Sequence, residues 1–480
     1  MNKENEVVYR KSKTWQIALA MMNNGCAMCF YILVTYASYV ANVGYGVATA
    51  VVGVILTVTR IWDAITDPLV GMMIEKTNTK FGKIRIWLVL GWLLESLAVL
   101  MLYSWASGKG HSTLLFIVLY LVYVVGYTMN NMAGLVINPV LTNDPKQRPT
   151  VGVWGTVYSY FVPMIFSGIL MMVVLPKYNN EYTVEMLSES AYLCVGISFI
   201  FLLLSCIGIS HADKPENFVG LKNERVKFKE MIQILKENKN LRMFILAATS
   251  DKLAQQVASN SIVTTMLYGI LIGNMQLSTK LSIMAMLPSI IFAILGAKYA
   301  GKHGNKEANV TWTRACLIFC AVILVFYGVI DMRSISTSMI MMIVYFATTL
   351  LLNGMKMCVT TATTAMLADV TDYELLRSGN YLPAVVSGTY NFVDKLVTSI
   401  SALIATGCVA LIGYTTTMPQ PTDSYSNSIK VVCLFLFYVL PILGWICTLI
   451  AMRKYDLTKE RMVDIQKEIE VKKAESKEAE

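Results

Sequence analysis

Residues 60–87 read RIWDAITDPLVGMMIEKTNTKFGKIRIW, and the eleven before them, TAVVGVILTVT (49–59), carry no charge. Arg60, Asp63 and Asp67 therefore stand inside a segment otherwise fit for a bilayer. Ionisable groups in a membrane span are costly and mark functional sites. A spacing of four puts the two carboxylates roughly 40° apart, one turn along one helix face. With the Thr59 and Thr66 hydroxyls they make an oxygen-rich surface suited to a hard cation such as Na⁺, or to a carried proton. A plainer reading has Arg60 neutralise Asp63 while Asp67 caps the cytoplasmic end. Beyond them the run turns basic and glycine-containing, as a loop between two spans should.

The rest of the chain agrees with a membrane setting. Of 480 residues, 55% are hydrophobic and only 15% charged, and mean hydropathy is +0.55. A soluble chain carries about 25% charged residues, so a cytosolic enzyme, a secreted disulfide scaffold and a disordered protein are excluded. At about 20 apolar residues per span, the pattern gives twelve segments: 14–40, 46–73, 84–106, 113–141, 150–176, 189–210, 243–270, 277–300, 309–330, 335–367, 383–413 and 430–452. They are too long and too continuously apolar for the ten-residue alternating strands of a barrel. The fold class expected is an all-α membrane protein with twelve transmembrane helices in two pseudo-symmetric six-helix bundles.

Basic residues orient the chain. Thirty-one of the 40 fall on alternate loops and the two termini, five (Lys109, Lys177, Lys280, Arg333, Lys430) on the opposite loops, and four (Arg60, Lys252, Lys356, Lys395) within spans. By the positive-inside rule both termini are cytoplasmic, in the plasma (inner) membrane. The net charge of +9 is then an orientation signal, not a nucleic-acid surface. The N-terminus lacks a cleavable signal pattern and reads as a cytoplasmic leader. The segment 211–242 divides the spans six and six. GMMIEKTNTKFGKIR after span two is echoed by GAKYAGKHGNKEA after span eight, and TNDPKQR after span four more loosely by DVTDYELLR after span ten. Two related halves in the same orientation follow: a bundle 1–210, a linker 211–242, a bundle 243–455, and a charged tail 456–480, a solvated helix or disordered.

Amides mark the substrate side. Asn23 and Asn24 in span one, Asn130 and Asn131 in span four, Gln255 and Gln256 in span seven, and Asn353 in span ten occupy every third helix; Asn391 in span eleven is the exception. Lining a cavity, they would offer donors and acceptors to a hydroxyl-rich solute; packed between helices, they would be glue. Asp251–Lys252 and Asp394–Lys395 are adjacent pairs, splayed roughly 100° apart, so neither neutralises itself. Lys395 needs a partner such as Asp63 or Asp67. Lys356 and Glu95 are also within spans, and Asp369 and Asp372 at the end of span ten are gate or capping charges. Cys26 and Cys29 have redox spacing but sit in an apolar span, and the ten cysteines read as thiols. No histidine metal pattern, Walker loop, nucleophile elbow or dinucleotide fingerprint is present, so neither an enzyme nor an ATP-driven pump is indicated, and no cofactor.

The stretch at 60–87 resembles the span-two signature of the glycoside–pentoside–hexuronide:cation symporter family of the major facilitator superfamily, the melibiose permease-like carriers. It matches at Arg60, Trp62, Asp63, Ala64, Asp67, Pro68, Gly71, Gly82 and Lys83. A second signature matches at Ala368, Asp369, Asp372, Tyr373 and Glu374, with the family's span-eleven lysine at Lys395. The resemblance covers nearly the whole chain and implies the major facilitator fold with alternating access. It implies that Asp63 and Asp67 bind the coupling ion, H⁺ or Na⁺, helped by Thr66 and Thr128, with Lys395 close by. Gly71, Glu75, Gly82, Lys83, Arg85, Asp144, Asp369 and Asp372 would serve the gates. Where melibiose-type members place acidic and other sugar-binding residues, this chain has Asn23 and Asn24, Asn131, Leu135 and Thr156. The function expected is cation-coupled symport of a sugar or glycoside by a monomer, with Asn23, Asn24, Asn131, Gln255, Gln256, Asn353, Lys356 and Asn391 at the substrate. Alternatives are a hexuronide or other organic anion as solute, held by Lys356 and Lys395, or a membrane ligand sensor that does not transport.

Overall fold

The computed structural model describes residues 11–77, 79–142, 147–214, 228–378 and 383–478. Among the described residues the secondary structure is helical, without a strand. Its principal helices are α1 (Thr14–Val34), α2 (Thr49–Lys76), α3 (Ile84–Trp105), α4 (Thr113–Leu141), α5 (Thr150–Lys177), α6 (Val184–Ile209), α7 (Phe228–Glu237), α8 (Lys239–Ala258), α9 (Ser261–Leu271), α10 (Gln276–His303), α11 (Asn305–Val329), α12 (Met339–Ser378), α13 (Pro383–Leu411), α14 (Asn427–Arg453) and α15 (Lys459–Glu478). Among the described residues nine helices are long and apolar enough to cross a membrane, ten when α10 counts as one. That helix bends by 42° where Pro288 begins its second part, since proline removes one backbone hydrogen bond and its ring crowds the preceding turn. The two remaining segments of the twelve are α2 and the α8–α9 run. They hold Arg60, Asp63 and Asp67, and Asp251 and Lys252, respectively.

The chain forms two compact units: 1–222 with 414–418, and 223–413 with 419–480. In the first, α3 and α4 make the closest helix pair. A Cβ on Gly126 would stand 2.7 Å from the Glu95 backbone nitrogen, and one on Gly91 would stand 2.9 Å from that of Asn130. Glycine at both positions lets the backbones touch, the small-residue packing that membrane helices use. Residues 414–418 pack in this unit too: the Asn42 side chain donates to Thr416 O at 2.7 Å and accepts from Met418 N at 2.9 Å.

In the second unit α8 packs against α13 and α14, and α10 and α11 against α12. Side-chain caps start several of its helices. Asn238 accepts from Leu241 N at 2.9 Å before α8, and Ser426 from Ile429 N at 3.2 Å before α14; each such cap is worth about 1 kcal/mol. The charged tail is a helix, and it is not solvated all round. Ile465 and Ile469, one turn apart, are buried in a core with Leu241, Phe244, Val386 and Tyr455.

Candidate functional site

Asp63 is the centre of the first unit's polar site. It is buried on α2, and its Oδ1 accepts a 2.8 Å hydrogen bond from the Thr128 hydroxyl of α4. Thr128 lies 3.4 Å from the Thr66 hydroxyl, which itself bonds the Asp63 carbonyl at 3.1 Å. The expected trio Asp63, Thr66 and Thr128 is thus assembled from two helices. Asp67, one turn on, is half-buried.

Beside Asp63 lies a cavity of about 60 Å³ lined by Tyr31, Thr59, Arg60, Tyr120, Tyr123 and Tyr127 among others. A cavity of that size takes an ion or a few waters, whereas pockets for organic ligands run to about 300–1,000 Å³. Its wall is an aromatic ladder along α4. Phe116, Tyr120, Tyr123 and Tyr127 follow one another at ring separations of 5.8, 5.7 and 6.0 Å. This ladder was legible as an i, i+4, i+7, i+11 stripe, but composition alone drew attention to the charges instead.

The first unit's amides divide. Asn23 and Asn130 are buried, while Asn24 is half-buried and donates to Gly155 O at 3.3 Å. Asn131 bonds the Tyr127 hydroxyl at the cavity wall.

In the second unit the charges are paired. The Lys252 ammonium lies 2.5 Å from Asp394 Oδ2, joining α8 to α13. Asp251 accepts from Trp445 Nε1 at 2.8 Å and from Gln255 Nε2 at 2.7 Å. The Lys356 ammonium stands 5.8 Å from the centre of the Trp445 ring, within cation–π range. Gln256, Asn353 and Lys395 are half-buried and Asn391 is exposed.

The loop ends show what sequence reasoning missed. Asp213, just after α6, organises the turn that leads into α3 at residues 83–85. Its carboxylate accepts from the backbone nitrogens of Lys83, Ile84 and Arg85 at 2.8, 3.0 and 3.0 Å, and from Arg85 Nε at 3.2 Å. It caps the N-terminus of α3, where an anion satisfies unpaired N–H groups and the helix dipole. Gly82 has φ +117°, and a Cβ there would collide with the Asp213 carboxylate. Gly71 is different: a Cβ there meets nothing within 4 Å. In the second unit Asp369 accepts from Asn305 at 2.8 Å and Asp372 from Gln466 at 2.7 Å. Glu374 binds Asn238 and Arg377, and Arg377 reaches on to Glu237 at 2.9 Å. Asp144 and the side chains of Glu75 and Thr156 lie outside the described residues.

Cysteine chemistry stays out of the site. All ten cysteines are free thiols. Among the described residues no three His, Cys, Asp or Glu side chains converge as a metal site would require.

A family model described as MFS/sugar transport protein matches residues 16–459. The chain belongs to that family. The MFS chain is similar along most of its length to the inner membrane symporter YicJ of Escherichia coli (strain K12), at 22% identity over 88% of each chain. It is likewise similar to the isoprimeverose transporter of Lactiplantibacillus pentosus, at 22% identity over 94% of this chain and 91% of that one. The lactose permease of Lactobacillus helveticus is 20% identical over 94% of this chain and 70% of its own. Among solved structures, the nucleoside transporter NupG superposes with a TM-score of 0.63 at 12% identity, covering 92% of this chain and 100% of NupG. A D-xylose–proton symporter gives 0.58 at 11% identity, covering 91% and 97%. At such identities the likeness is one of fold, and the fold is that of the major facilitators: an all-α, multi-pass membrane protein.

Proposed function

We propose that this protein is a secondary active transporter that couples entry of a sugar or glycoside to a cation, by alternating access, as a monomer with both termini cytoplasmic. The observation that carries this reading is the Asp63–Thr66–Thr128 site beside an ion-sized cavity. Relatives named as a symporter and as isoprimeverose and lactose carriers support the sugar and the coupling. The two transport bundles are 1–210 and 243–455, joined by 211–242, with 456–480 as the tail.

The coupling ion binds at Asp63 and Asp67, with Thr66 and Thr128 as hydroxyl partners. H⁺ is favoured over Na⁺ by the resemblance, since Thr66 stands where sodium-using relatives of the family carry an amide. Asn24, Asn131, Gln255, Gln256, Asn353 and Asn391 serve the sugar hydroxyls. Gly82, Lys83 and Arg85 in the first unit, with Asp369 and Asp372 in the second, serve the gates. Cation binding neutralises a buried carboxylate. The fully loaded and empty forms then interconvert readily, while a half-loaded form pays for uncompensated charge, which is what couples the two fluxes.

The test is uptake into proteoliposomes by Asp63→Asn and Asp67→Asn, scanned with and without Na⁺ at several pH values. Loss of uphill accumulation with retained solute counterflow is expected; accumulation against a gradient by either variant would sink the mechanism. Lys356 over Trp445 favours a second reading, a hexuronide whose carboxylate pairs with that lysine. Competition between neutral sugars and uronates separates the two.

A further inference from the structure

Among the described residues Glu95 is the most completely buried carboxyl in the first unit, at 0% exposure in the middle of α3. The close approach at Gly91 and Gly126 presses it against α4. Its Oε2 accepts one hydrogen bond, from Asn130 Nδ2 at 3.4 Å. Its other oxygen, Oε1, has no partner, and neither has Asn130 Oδ1, although Asn130 is itself 1% exposed. Two acceptors on the same pair of side chains are thus stranded in a dry interior, where an unmet polar atom is rare and costly.

A proton on Oε1 turns that stranded acceptor into a donor, and the neighbouring side chain holds a stranded acceptor, Asn130 Oδ1, for it to meet. Swapping the amide's oxygen and nitrogen does not remove the need. It brings Oδ1 against Oε2, and two acceptors again require a proton between them. The surroundings agree. Among the described residues, the titratable groups that interact with Glu95 are Cys26 and Cys29 from α1, Tyr123 and Tyr127 from α4, and Cys194 from α6. None is a cation, so an ionised Glu95 would be an uncompensated charge inside the membrane, the state such proteins avoid.

We propose that Glu95 and Asn130 form a proton-binding site, separate from Asp63, in which Glu95 keeps its proton at neutral pH and donates it to Asn130. The proton is a fixed structural ligand that closes the α3–α4 seam and is not the one carried. It also keeps the far side of the Tyr123–Tyr127 wall neutral, so that the charge at Asp63 is the one a coupling ion meets.

Glutamine reproduces the protonated acid: its NH₂ donates where the OH did, and its C=O accepts from Asn130 Nδ2. Infrared spectra of the full-length protein in nanodiscs at pH 8 test the assignment, since a free glutamate has a pKa of about 4.3. Wild type should show a protonated-carboxyl C=O band that Glu95→Gln lacks. Glu95→Gln should also melt within a degree or so of wild type and retain uphill uptake, while Glu95→Ala should melt several degrees lower. The proposal is overturned if the spectra show no such band lost, or if Glu95→Gln melts as low as Glu95→Ala. It is equally overturned if Glu95→Gln stays stable but loses accumulation, because the proton would then be a transported one. The band and the melting curves are independent of the transport reading, so the two can fail separately.

Discussion

In the first unit the buried carboxylate of Asp63 accepts from the Thr128 hydroxyl and shares a small cavity with Arg60, whereas in the second Asp394 is met directly by the ammonium of Lys252. The difference bears on what each can do. A hydrogen bond from a threonine hydroxyl does not neutralise a carboxylate, so that group can still take a mobile cation. A carboxylate already held by a lysine has its charge cancelled within the protein, and moving either partner away is expensive. The first arrangement suits coupling and the second suits holding helices in register.

The largest expected effect separates those two roles. Asp63→Asn should reduce the accumulation ratio to its equilibrium value while leaving the melting temperature nearly unchanged. Lys252→Ala should do the reverse in weight. It strands the Asp394 carboxylate, which is only 7% exposed, and should cost about 3 kcal/mol of stability. Adding Asp394→Asn to Lys252→Ala should recover most of that loss, and thermal melts of the four proteins form the double-mutant cycle that measures it. If Lys252→Ala left stability intact and abolished coupling, the division of labour would be wrong.

How far the sequence announced these features depends on how local they are. The spacing of Asp63 and Asp67 is a property of one helix, so their shared face was readable from letters. The amphipathic contact of Ile465 and Ile469 was equally local, but the many charges around them suggested a solvated tail. The pairing of Lys252 with Asp394 was not readable. Adjacent residues had to find partners elsewhere, and only the packing of α8 on α13 says which. Asp213 was hidden more deeply, because it caps a turn 130 residues earlier in the chain from within an ordinary-looking loop. Sequence separation hid the partners of Lys252 and Asp213, whereas the tail stripe and the α4 ladder were local and were overshadowed by the charges around them.

The echo between the halves gives a sharper comparison. Gly82 before α3 and Gly304 before α11 both have positive φ, +117° and +97°. In each unit the space beside that glycine is filled by a residue that follows the unit's last membrane helix. Asp213 fills it in the first, and in the second a Cβ on Gly304 would lie 2.8 Å from that of Lys459. Alanine at either position pays about 1–2 kcal/mol for its left-handed backbone. Gly82→Ala should cost about 1 kcal/mol more than Gly304→Ala, because it also drives Asp213 off the α3 cap. Equal losses in thermal melts would mean that the Asp213 cap contributes little.

The smallest effect lies at the exposed end of the second unit's carboxylate network. Arg377 hydrogen-bonds Glu237 and holds its carboxyl below the usual glutamate range, with Gln233 adding to the shift. A folded-state pKa lowered in this way stabilises the protein above the unfolded value of about 4.3 and is lost as pH falls through the folded value. Glu237→Gln should therefore be slightly less stable than wild type at neutral pH, and the gap should close on acidification through the carboxylate range. Glu237 is exposed, so about 0.5 M salt should also shrink the gap. The Lys252–Asp394 pair, whose carboxylate is buried, should respond less to the same salt. That contrast in one titration distinguishes a charge pair that only decorates the surface from one on which the helix packing depends.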